Sequence, residues 1–187
     1  METVYIIIGI AAIILIMMVS TYNSLVRLRN RVKNAWAQID VQLKRRHDLI
    51  PNLVETAKGY MTHERGTFET VTKARNLAQQ AVGTGVGAQS KAEGALSGAL
   101  ARLLVVVENY PDLKANQNFL ALQEELTSTE NKISFSRQYY NDSVLRYNNK
   151  TQMFPSNLMA GMMGFKTSEF FEIKATEERE APKVSFS

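Results

Sequence analysis

From Thr3 to Val26 the chain carries no charged residue, and from Val4 to Val19 (VYIIIGIAAIILIMMV) every residue is apolar or glycine. As a helix this stretch measures about 24 Å, and its extension to Tyr22 approaches the roughly 30 Å of a bilayer core. No other feature of the sequence constrains the fold so strongly. A cleaved signal peptide needs a basic start and a small-residue cleavage site. This start carries Glu2, and the apolar run leads into Ser20-Thr21-Tyr22-Asn23. An uncleaved membrane anchor over residues 1–23 is therefore expected, with Tyr5 and Tyr22 at its two interfaces.

Charge sets the expected orientation. The 187 residues carry a formal net charge of +4, with Lys+Arg 22 and Asp+Glu 18. Residues 27 to 46 alone hold Arg27, Arg29, Arg31, Lys33, Lys44, Arg45 and Arg46 against the single acid Asp40. Arg27, Arg29, Arg31 and Lys33 follow the apolar run directly, as cytoplasmic flanks do, so the N-terminus is expected outside the inner (cell) membrane and the body inside. Anionic lipid accounts for these four cations, and no nucleic-acid partner is expected. Lys44, Arg45 and Arg46 lie further along, where they either cap the C-terminal end of a helix or form a candidate partner surface.

The rest reads as all-α. Pro51, Pro111, Pro155 and Pro182 mark boundaries, and the glycine-rich GTGVG at 83–87 marks a loop. Leu25, Leu28, Val32, Ala35/Trp36, Ile39 and Leu43 recur by threes and fours, as do Ile50, Leu53, Ala57, Phe68, Val71 and Ala78. A third helix is expected to end at Asn109-Tyr110-Pro111-Asp112, and a fourth to run from about 112 to 152. The expected architecture is an N-terminal transmembrane helix, an antiparallel up-and-down four-helix bundle over 24–154, and an irregular or docking tail over 155–187. Asp48 is expected to cap a new helix at Pro51. The alternative runs the chain straight through Pro51 and Pro111 as one hairpin of long kinked helices. Trp36 and the tyrosines of the fourth helix are expected in the core, and its many amides suit hydrogen-bonded packing or an oligomer surface.

Catalytic and metal motifs do not appear. The chain has no cysteine. His47 and His63 lack the Glu-x-x-His context of a di-iron bundle, and Thr67 stands where a zincin helix needs its second histidine. Both histidines are expected to be solvated or hydrogen-bonded. No Gly-x-Ser-x-Gly or phosphate-loop pattern occurs. No catalytic residue, metal or cofactor is assigned.

Two segments resemble the bacterial LemA family: residues 29–76, with Ala35-Trp36, Asp40-Val41-Gln42-Leu43 and Arg46-x-Asp48-Leu49-Ile50-Pro51-Asn52-Leu53, and residues 109–149, with Tyr110-Pro111-Asp112-Leu113 and Glu130-Asn131. The resemblance implies a single-pass membrane protein with a helical body and no established activity or cofactor. It also implies a neighbouring membrane-protein partner. The expected function is a non-enzymatic, self-associating membrane scaffold or adaptor. Alternatives are a membrane-linked sensor or signalling component, for which few residues precede the anchor, and an enzyme whose site forms only between subunits.

Overall fold

A computed structural model describes residues 1–172. Six helices follow in order: α1 (Glu2–Lys58), α2 (Arg65–Gln80), α3 (Val86–Val107), α4 (Pro111–Lys114), α5 (Gln117–Gln152) and α6 (Ser156–Met162). No strand occurs among the described residues. The described residues form an all-helical fold, with one long apolar helix at the N-terminus.

The break expected at Pro51 is absent, and Asp48 caps nothing, because α1 runs through both to Lys58. A proline inside a helix removes the N–H that would reach the carbonyl four residues back. That carbonyl belongs to His47, and it accepts a hydrogen bond from Arg75 Nε at 2.7 Å. The orphaned acceptor thus has a replacement donor from α2. The chain turns instead at Gly59–Glu64, where Met61 is fully buried as a plug.

The other boundaries lie close to their sequence signals. Gly83 and Gly85, between α2 and α3, have φ of 79° and 122°, backbone that favours glycine. Pro111 opens α4. The single helix expected from 112 is divided at Ala115-Asn116, where Asn116 Oδ1 accepts from the Phe119 N–H at 3.0 Å and caps α5.

The described residues fold as two compact units, one formed by Met1–Val41 and Ser134–Phe170, the other by Gln42–Ile133 together with Phe171 and Glu172. In the first, Leu25, Val32, Ala35 and Ile39 of α1 are buried, as are Tyr140, Val144 and Tyr147 of α5 and Met159 and Ala160 of α6. Trp36, half-buried, meets Tyr140 edge-on with ring centroids 5.2 Å apart. In the second unit a single core joins Ile50, Leu53 and Ala57 of α1 to Phe68 and Val71 of α2, Leu96, Leu100 and Leu103 of α3, and Phe119 and Leu126 of α5.

The segment after α5 is more ordered than an irregular tail. It contains α6, and the extended residues beyond are tied to their own chain. Asn148 pairs with the Ser168 backbone twice, accepting from its N–H at 2.8 Å and donating to its carbonyl at 2.9 Å. Tyr140 donates to the Glu169 carbonyl at 2.9 Å, and burial together with the Glu169 charge pushes its hydroxyl up to about 12. Phe171 is buried, and Ser90 donates to the Glu172 carbonyl. Residues 173–187 of the expected tail lie outside the described residues.

Candidate functional site

Two regions hold the residues singled out by sequence, and each uses charge differently. In the first unit, every large apolar side chain from Val4 to Val19 is exposed. Burying such a side chain is worth about 1.5–3 kcal/mol, so a row of them in water is strongly unfavourable. The stretch is long and apolar enough to cross a membrane. Tyr5 and Tyr22 are exposed toward its two ends, and Arg27, Arg29, Arg31 and Lys33 are all exposed beyond it. Tyr22 meets Phe165 edge-on at 5.8 Å, and the Arg29 guanidinium lies 5.1 Å over the same ring.

In the second unit the trio Lys44, Arg45 and Arg46 does not form one surface. Successive helical residues point about 100° apart, so three in a row face three ways. Lys44 is exposed, and Arg45 is partly exposed in an ion pair with Glu125. Arg46 faces inward and is 1% exposed. Nor do the three cap a helix end, since α1 continues to Lys58.

Arg46 is the centre of a buried ion cluster. Its guanidinium pairs with Glu93 of α3 and Glu130 of α5, and donates to Ser97 Oγ at 2.9 Å. His47 is buried beside it, with Nε2 2.9 Å from Glu93 Oε1, an ion-pair separation without hydrogen-bond alignment. Burial alone pushes the Glu93 carboxyl up; the contact with His47 and the Arg46 charge outweigh it and hold the carboxyl below its ordinary value of 4.5. Among the described residues no three His, Asp or Glu side chains converge as metal ligands. The charge opposite Glu93 is a guanidinium, and the cluster is enclosed by α1, α3 and α5. His63, by contrast, is exposed in the α1–α2 turn.

Sequence reasoning missed this cluster, although a signal existed. Leu25, Val32, Ile39, Arg46 and Leu53 are spaced by seven along α1 and all are buried. Arg46 therefore occupies a core position in an otherwise apolar seam. Glu93 likewise continues the buried stripe of Leu96, Leu100 and Leu103 backward along α3. A lone charge at a seam position predicts a buried partner, whereas counting charges by window assigned Arg46 to a surface run.

With this geometry in hand, the family is clear. The LemA family model matches residues 35–186, and the chain belongs to that family. The match begins after the apolar segment and takes in Arg46, His47, Glu93 and Glu130. Magnetosome protein MamQ 2 of Paramagnetospirillum magneticum is 25% identical over 177 residues, covering 82% of this chain and 65% of the relative. Magnetosome protein MamQ of Magnetospirillum gryphiswaldense is 24% identical over the same length and coverage. Protein LemA of Metamycoplasma hominis is 26% identical over 156 residues, covering 83% of this chain and 70% of that protein. The chain thus spans 65% of the length of the MamQ relatives it matches.

Proposed function

We propose that this chain is a non-enzymatic scaffold or adaptor held in the inner membrane by a single pass, with its N-terminus outside and its body in the cytoplasm. The observation that carries the reading is the exposed apolar stretch Val4–Val19, which continues as one unbroken helix into a LemA-family body. The exposed cations Arg27, Arg29, Arg31 and Lys33 support the orientation. The up-and-down bundle expected for the body belongs to the same proposal.

The most elaborate polar cluster supports a structural role. Arg46, His47 and Glu93 are enclosed and mutually engaged, so they face one another and not a substrate. Such a cluster fixes which helices meet, a registry use of buried charge. A helical body on a membrane anchor suits holding other proteins, and self-association or a membrane-protein partner completes the reading.

Gentle detergent extraction from native membranes, followed by mass measurement of the purified particle, tests this. The expected result is a homo-oligomer or a stoichiometric complex with another protein. A lone monomer that turns over a small molecule would contradict it.

A further inference from the structure

The membrane-facing end of the first unit contains more than the anchor. Trp36 packs against Tyr140. Toward the N-terminal end of α1, Arg29 lies over the Phe165 ring and Tyr22 meets its edge, so the chain that follows α5 and α6 returns to the apolar end of α1. Within this unit α5 therefore runs antiparallel to α1. From the Trp36–Tyr140 contact, fourteen residues back along α1 reach Tyr22 and fourteen onward from Tyr140 reach Phe154, which brings the two to about the same level. The end of α5, α6 and Phe165 thus gather where the apolar run of α1 ends.

That corner exposes large apolar side chains in close succession. Phe154 is 80% exposed and Met162 74%, and Met153, Leu158 and Met163 are also exposed. On α6 Leu158 and Met162 share one face, while Met159, Ala160 and Ser156 are buried on the other. Along the chain, the charge that flanks these residues has one sign. No Asp or Glu occurs between Asp142 and Glu169, where Arg146, Lys150 and Lys166 lie, and none occurs between Glu2 and Asp40 on α1.

We propose that the α5–α6 corner is a second membrane contact, an interfacial foot that beds Phe154, Leu158, Met162 and Met163 at the headgroup–acyl boundary of the leaflet that α1 enters. Arg29 lies over the Phe165 ring, and Lys150 and Lys166 flank the apolar residues in sequence, so the cations there match anionic headgroups. The inference rests on the reading of Val4–Val19 as a membrane span. Lipid is the occupant because the patch is level with the end of that span and carries the interfacial combination of apolar face and cationic rim. The foot would fix the tilt and rotation of the first unit, which one helix alone leaves free.

Single cysteines test this in the full chain, which has none of its own. They are placed at Ile10, Leu158, Met162 and Phe135, spin-labelled and reconstituted in vesicles of phosphatidylglycerol and phosphatidylcholine. Phe135 is exposed on α5 and, by the same register, about 28 Å from the level of Tyr22. Collision rates with oxygen and with a water-soluble nickel chelate are then compared. The expected result places Ile10 deep in lipid, Leu158 and Met162 at shallow depth with a several-fold loss of nickel access, and Phe135 in water. Nickel access at 158 and 162 equal to that at 135, with Ile10 still in lipid, would overturn the foot and leave the anchor standing. Protection of 158 and 162 from both reagents would also overturn it, by showing a protein contact such as a second copy. Ile10 in water would remove the anchor and the foot together.

Discussion

Arg29 and Arg46 lie on one helix and look interchangeable in a charge count, yet they stand in opposite environments. Arg29 is exposed, rests on the Phe165 ring and belongs to an acid-free basic end. Arg46 is enclosed and paired with Glu93 and Glu130. The first kind of charge acts on what lies outside the protein and is screened by salt. The second acts inside, where a charge left without its partner is strongly unfavourable. The first unit carries eight of the Lys and Arg residues and four of the Asp and Glu residues, which equals the whole chain's +4. The second unit is balanced, and its Arg45 and Arg46 are paired with Glu125, Glu93 and Glu130.

The largest test of this contrast is truncation at the two ends of the comparison. Arg46→Ala leaves Glu93 buried without its guanidinium and is expected to cost about 3–5 kcal/mol of stability. Arg31→Ala, on the exposed side, is expected to stay within about 0.5 kcal/mol. Denaturant unfolding of the detergent-solubilised protein measures both, and similar losses would erase the distinction.

Next in size is the carbonyl that Pro51 orphans. Arg75→Met removes the donor to the His47 carbonyl and is expected to cost about 1–3 kcal/mol. In a Pro51→Ala background the restored N–H can take that carbonyl, so the same substitution should cost less. A double-mutant cycle reads the difference; equal costs in the two backgrounds would show that Arg75 does not compensate for the proline. In the first unit Tyr140→Phe deletes the hydrogen bond to the Glu169 carbonyl and should cost about 1 kcal/mol. Faster proteolysis after residue 163 would accompany that loss, because the bond ties the extended segment to α5.

The smallest expected effect is in the pH dependence. Glu93 ionises below its ordinary value of 4.5 when folded. Its contribution is therefore full above that value and is lost as pH falls through the lowered one. Stability profiles of the native protein and of Glu93→Gln should converge in acid and separate toward neutrality. Parallel profiles throughout would remove Glu93 from the acid response.

The seam of α1 shows what was legible in the sequence and what was not. Apolar spacing identified Leu25, Val32 and Ile39 as core, and the charge-free run identified the segment able to cross a membrane. Pro51 misled, because its effect depends on whether the freed His47 carbonyl finds a donor, and that donor, Arg75, is distant in sequence. Arg46 misled for the same reason: its partners Glu93 and Glu130 come from other helices, and local charge density carries no trace of them. The ordering of residues 163–172 rests on Asn148 and Tyr140 side chains reaching backbone groups, a contact with no periodic signature.

The side of the membrane on which the body lies decides the proposed role most directly. Single cysteines at Thr3 and at Phe135, an exposed position of α5, can be treated in intact cells with a membrane-impermeant maleimide. Labelling is expected at Thr3 in intact cells and at Phe135 only after lysis. Labelling at Phe135 in intact cells would contradict a cytoplasmic body.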